Sequence, residues 1–221
     1  MKNIVRLFVV VALLAGCDYD NYDPPTSTLS GKVAYQNEAV GVRSGGTQLE
    51  LWQSGYDLSA KIAVYIDQDG LYSAKLFDGN YKLVRLAGAP WENQTDTIPV
   101  TVKGNTVVDV SVTPFFVIRN AAFQKNGDQI SATFTVEKVS SSANLGLARL
   151  YIGKTIITDQ NNNVANASMD ASAIMLGQQV NLSVAIPESI ASEEYLYARV
   201  GIQNAGVGEL YYSVAEKIRL K

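Results

Sequence analysis

The chain has no histidine and a single cysteine among 221 residues. Without histidine it lacks the side chain that most general bases and zinc sites rely on, and one cysteine cannot form an internal disulfide. Nucleophilic catalysis through a Ser-His or Cys-His pair is excluded on the same grounds. No apolar run approaches the roughly 20 residues a spanning helix requires; the longest, Leu7 to Ala15, has nine. Basic tracts are also missing. With 18 basic and 21 acidic side chains the formal charge is −3, which leaves no electrostatic footprint for nucleic acid. Carboxylate pairs are the one catalytic class the composition leaves open. The acids gather in turns and near the N-terminus, so the expectation is a protein that is not an enzyme.

The single cysteine stands in an informative place. Lys2 and Arg6 precede the apolar run, and small residues lead up to Cys17, which is the layout of a secretory signal peptide. Leu14-Ala15-Gly16-Cys17 resembles the bacterial lipobox. That resemblance implies cleavage before Cys17 and lipidation of its thiol, and more than one acyl chain is what holds a protein stably on a membrane. The mature chain would then run from 17 to 221, with 16 basic against 21 acidic side chains and a net charge of −5. Behind the cysteine, Asp18, Asp20 and Asp23 alternate with Tyr19, Asn21 and Tyr22, and Pro24-Pro25 enforces extended backbone. Such a segment cannot build a core and reads as a tether over 17–25. It resembles the surface-export signal of Bacteroidetes lipoproteins, and the plainer reading is a solvated linker.

From Leu29 onward the pattern is strand and turn. Gln48 to Trp52 alternates with period two, Ala60 to Ile66 is β-branched and aromatic, and Asp67-Gln68-Asp69-Gly70 is a hairpin signal before Leu71 to Ala74. Lys103-Gly104-Asn105 separates Ile98–Val102 from Thr106–Val112. After Pro114, Phe115 to Ile118 opens a second series: 129–136, 147–153, 178–186, 195–203 and 210–220, with one helical turn within 187–194. In 195–203, Leu196, Ala198, Val200 and Ile202 share one face, while Tyr197, Arg199 and Gln203 share the polar one. No segment sustains a 3.6 period. The expected fold is all-β, two consecutive antiparallel sandwiches over 26–114 and 115–221 behind a lipidated tether, the second of them immunoglobulin-like.

Several motifs together carry a resemblance. Asp20-Asn21-Tyr22 with Pro24-Pro25, Leu29-Ser30-Gly31-Lys32-Val33, Asp69-Gly70-Leu71-Tyr72, the segment 75–82 (KLFDGNYK) and Val112-Thr113-Pro114-Phe115 resemble the Bacteroidetes lipoprotein family of domain of unknown function 3823. The first half is also similar to transthyretin-like and carboxypeptidase-regulatory-like sandwiches. Members of the family are encoded beside SusC-like transporters and SusD-like lipoproteins. The resemblance therefore implies an outer-membrane, lipid-anchored accessory of an uptake system, facing the extracellular side, with SusC/SusD-like partners and a polysaccharide or peptide cargo. It carries no catalytic residues and no cofactor. On physical grounds Gly31, Gly70 and Gly79 meet turns or close strand approach, Tyr72 and Tyr81 cap the core, and Phe77 belongs to it.

Aromatic side chains supply the candidate contacts. Trp91 lies in the loop 88–93, Trp52 on the strand face opposite Leu49 and Leu51, and Tyr197 and Arg199 on a polar strand face; all four are candidates for ligand or partner contact. Asp96-Thr97-Ile98 resembles the O-glycosylation pattern of Bacteroidetes secreted proteins, with Thr97 as acceptor. A structural Ca²⁺ could use Asp67 and Asp69, or Asp159 with Asn161 and Asn163, although both sets read first as turns. The alternative role is a structural adhesin or pilus-type subunit that assembles by strand donation.

Overall fold

The computed structural model describes residues 23–55 and 60–221. The lipobox residues Leu14, Ala15 and Gly16, Cys17 itself, and Asp18 and Asp20 lie outside the described residues; Asp23 is exposed. Among the described residues no helix is long and apolar enough to cross a membrane.

Alternating apolar residues set the strands, and the buried ones set which face turns inward. In β3 (Gln48–Gln53) Leu49 and Leu51 are fully buried. In β14 (Gln179–Ala185) Val180, Leu182 and Val184 are buried while every other residue is exposed. The same period runs through β11 (Gln129–Lys138) as Ile130, Ala132, Phe134 and Val136. The architecture is all-β and multi-sheet. In the first half, β4 (Lys61–Tyr65), β3, β6 (Gly79–Arg85) and β7 (Ile98–Val102) form one sheet in that order. The facing sheet is built on β1 (Ser27–Tyr35), with β2 (Glu38–Ala39) and β5 (Leu71–Leu76) antiparallel to it. On its other edge β1 takes β8 (Asn105–Val107) and β9 (Val110–Ser111) in parallel. The sheets are therefore not purely antiparallel as the sequence suggested. The chain changes sheets at the turn after β7, so it returns alongside β1 running the same way.

The second half pairs β10 (Phe116–Asn126), β11 and β14 in one sheet. In the other, β13 (Ala165–Asp170), β12 (Leu145–Gly153) and β15 (Tyr195–Asn204) lie in that order, and β16 (Leu210–Tyr212) and β17 (Glu216–Arg219) successively occupy the free flank of β15. The expected strand over 210–220 is thus broken, at an exposed Val214. The expected helical turn is the short helix α1 (Glu188–Ala191). One continuous hydrophobic cluster runs through both halves, from Leu29, Leu49 and Ile66 to Ile130, Leu150 and Val200.

Tyr72 and Tyr81 are buried at the core edge, their hydroxyls donating to the carbonyls of Val108 and Phe77. Phe77, expected in the core, is instead 49% exposed. It sits in the tight turn between β5 and β6, where Asp78 takes bonds from Ser27 and Gly104 and the aromatic ring has no inward face to occupy. Burial, with Asp109 nearby, raises the Tyr72 hydroxyl from 10.0 to about 12. A group raised in this way contributes stability in full below pH 10 and loses it as pH rises through about 12. Tyr72→Phe is expected to cost about 1 kcal/mol at pH 8. Urea titrations at pH 8 and pH 11.5 should show that deficit shrinking at the higher pH; an unchanged deficit would mean the hydroxyl does not titrate with unfolding.

Candidate functional site

Backbone pairing and charge together hold the two halves against each other. The Tyr212 amide donates to the Gly41 carbonyl at 2.9 Å, an isolated β-bridge between halves. A Cβ on residue 41 would stand 2.4 Å from Tyr212 O, so this approach requires glycine. Arg43 pairs with Glu209, and Arg119 with both Glu38 and Glu137. Beneath the bridge lies Arg199, fully buried. Its Nη2 donates to the Gln68 carbonyl at 2.7 Å and its Nε to the Ser213 carbonyl at 2.7 Å, and the guanidinium stacks 4.5 Å from the Tyr212 ring centroid. No carboxylate lies within ion-pair distance of it among the described residues, and burial pushes its pKa down to about 10. Burial also pushes the Tyr212 hydroxyl up, leaving it protonated, and it accepts from the Gln160 amide.

Arg199 thus corrects the sequence reading that placed it on a solvent-facing strand surface. One face of β15 meets the core, and at Arg199 the other is covered by the Tyr212 ring and by the Gln68 segment of the first half. Trp91 is corrected likewise. Its loop folds back so that it bridges Pro114, and the indole is only 1% exposed within the common core. Trp52 is half-buried on the outer face of β3, where its Nε1 donates to Glu50 Oε2 at 3.3 Å, and Lys61 pairs with the same carboxylate. Tyr197 is half-buried and meets Tyr195 edge to face at 5.9 Å, with Lys217 Nζ 3.6 Å above the Tyr195 ring. The four candidates are scattered over separate places and form no joint site. Thr97 is exposed, and the neighbouring Asp96 is held by Arg85.

The two sets considered for Ca²⁺ spend their carboxylates on backbone amides. Asp67 Oδ1 accepts from Asp69 and Leu71, and the buried Asp159 Oδ1 accepts from Asn161 and Asn162. Among the described residues no group of three His, Cys, Asp or Glu side chains could hold a metal.

A cleft of about 560 Å³ opens where the halves meet, beside the Gly41 bridge. Its apolar wall is Ile118, Ala121 and Phe123 from β10 with Tyr211 from β16, and its polar rim includes Glu38, Asp69 and Glu216. Gln68 also lines it: the residue is 7% exposed, and its side-chain Oε1 is buried without a hydrogen-bond partner. That volume lies in the usual range for organic ligands, and domain junctions are a preferred place for such sites. The sequence reading missed these residues. In the sequence Gln68 reads as part of a turn and Asp69 as a turn residue or Ca²⁺ ligand, and no local pattern ties them to positions 118–123 or 211–216, which the fold brings alongside.

The family models decide the relationship. A model described as protein of unknown function (DUF3823), N-terminal domain, matches residues 27–113, and a second, domain of unknown function (DUF3823_C), matches residues 116–217. The chain belongs to the DUF3823 family. A DUF3823 protein from Bacteroides ovatus is similar at 46% identity with a TM-score of 0.84, over 88% of this chain and 100% of that one. Another, from Parabacteroides merdae, is 35% identical with a TM-score of 0.82, over 89% and 100%. A Bacteroides uniformis structure, named as a candidate carbohydrate binding protein, shares the fold at 21% identity and a TM-score of 0.73, over 89% and 100%. No curated protein matches. The cleft offers an apolar wall with carboxylate and amide groups at its rim, an arrangement that can hold a ligand.

Proposed function

We propose that this DUF3823 protein is a non-catalytic, lipid-anchored accessory of a SusC/SusD-type uptake complex in the outer membrane, facing outward, and that it holds cargo in the cleft between its halves. The observation that carries the binding role is a cleft with one apolar wall whose lining includes Gln68, a buried residue whose amide oxygen has no partner. A native buried acceptor left unpaired costs about 1–3 kcal/mol, and a ligand donor would offset that cost. Lipidation at Cys17 sets position, and the acidic run Asp18, Asp20 and Asp23 provides reach and the export address. We read the halves as a transthyretin-like and an immunoglobulin-like sandwich, a reading supported by the two sheets in each. The carbohydrate-binding name of the B. uniformis relative favours glycan over peptide as cargo.

The test is affinity purification of the tagged, lipidated protein from its native outer membrane in mild detergent. The expected result is co-purification of a SusC-like and a SusD-like protein, with Cys17→Ala lost from the membrane fraction. Recovery of the protein alone, as a ladder of its own multimers, would replace the uptake role with the adhesin one.

A further inference from the structure

We infer that the cleft between the halves is built for an uncharged saccharide that enters as a hydrogen-bond donor. This rests on the cargo-binding role above and goes further, because the chemistry of the wall selects among cargoes. The acceptors there are free. Gln68 Oε1 has no partner, and neither Asp69 nor Glu216 is engaged in an ion pair among the described residues. The nearby guanidiniums are committed or sealed off from the cleft, Arg199 with its Nη1 buried and unpartnered. Arg119 is held by Glu38 and Glu137, Arg199 is sealed beneath Tyr212 on two carbonyls, and the Ser213 hydroxyl donates to the Val214 carbonyl. A surface with uncommitted acceptors at Gln68, Asp69 and Glu216, and with the Tyr211 hydroxyl able to donate or accept, is complemented by a ligand rich in hydroxyl groups, which do both.

Charge narrows the class in both directions. A uronate or sulfated sugar would approach Asp69 and Glu216 with no uncommitted cation to receive its own charge. An ammonium group reaching Gln68 would leave water for a neutral amide, and burying a charge without a counter-charge is costly. A hydroxyl satisfies that amide at no such cost. Ile118, Phe123 and the Tyr211 ring provide an apolar surface for the C–H face of a sugar. Burial raises the Tyr211 hydroxyl above its ordinary value, so it stays protonated at neutral pH.

Affinity electrophoresis of the full chain, through gels containing amylopectin, yeast mannan, galactomannan or xyloglucan and through gels containing polygalacturonate or chondroitin sulfate, tests the assignment. Retardation by at least one neutral polysaccharide and by neither acidic one is expected. Gln68→Leu should weaken that retardation at least tenfold, and Glu216→Ala several-fold. Glu216 is exposed, so its variant reads binding even where Gln68→Leu melts early. Retardation by acidic polysaccharides alone, by none of the six, or by a neutral one equally in wild type and both variants would overturn the assignment. A transporter pair recovered in the purification above, with no polysaccharide bound here, would leave the uptake role standing and remove only the saccharide.

Discussion

Gly31→Ala is expected to unfold the first half more readily than any exposed substitution in it. The reason is local and steric. A Cβ at position 31 would lie 1.9 Å from the Val108 carbonyl oxygen and 2.7 Å from its carbon, both backbone atoms. The chain between β8 and β9 presses that carbonyl over β1, where the missing side chain leaves room and the hydroxyl of Tyr72, the cross-strand partner of Gly31, receives it. Alanine must push the strand away, which breaks the Val108 to Ser30 backbone bond and the tyrosine bond together. Overpacking costs about 1–3 kcal/mol and each orphaned buried polar group about 1–3, so a loss of roughly 4 kcal/mol is expected. At about 2–4 °C per kcal/mol for a chain of this size, the melting temperature should fall by roughly 8–16 °C. Gly45→Ala is the control. Its φ is +67° but nothing lies within 4 Å of the new Cβ, so only left-handed backbone strain of about 1–2 kcal/mol applies. Equal melting temperatures for the two variants would refute the close-approach account. Combined with Tyr72→Phe, the Gly31 variant should show less than additive loss, because both remove the same bond.

This pairing also shows what the sequence could and could not convey. The glycine and tyrosine motifs around Gly31 and Tyr72 were legible as architecture, but positive φ is not what Gly31 needs; it needs the absence of a side chain under a carbonyl 77 residues further on. Strands with strict alternation, such as β11 and β14, could be read directly because one face meets the core and the other is more open to water. Long-range layering could not. Arg199 alternates like a surface residue, yet a second layer from the other half covers that face. The reverse holds at Phe77, whose apolar character suggested the core but whose place in a two-strand turn leaves it exposed. β13 escaped detection altogether, since its sequence Ala165–Asp170 has small and polar residues in place of an apolar face. The cleft draws on four distant segments, 38–41, 68–69, 118–123 and 211–216, and each of them alone is ordinary.

Arg199→Ala is the second large effect expected, and comparison with Arg199→Met identifies its source. The lowered pKa of this arginine means that burial outweighs the favourable charges around it, so the positive charge is not itself what stabilises the junction. What the side chain supplies is one carbonyl bond across the halves to Gln68 and one within the second half to Ser213, a stacked contact on Tyr212, and volume in a fully buried space. Methionine keeps most of the volume and relieves the buried charge, but leaves Ser213 O without Arg199 Nε; the Gln68 carbonyl retains its bond from Val42. A loss of about 2 kcal/mol is expected from the orphaned acceptor. Alanine adds a cavity, for which a further 2–3 kcal/mol or so is ordinary in large-to-small core changes. The alanine variant should therefore melt roughly 8–16 °C below wild type, and methionine about half as far. Because a single hydrophobic cluster spans both halves, wild type should unfold in one calorimetric transition, and the alanine variant in two as the halves uncouple. If alanine and methionine are equally destabilising, packing is not what Arg199 contributes. If alanine melts within 2 °C of wild type in a single transition, the junction is held by the Gly41–Tyr212 bridge and the outer ion pairs without it.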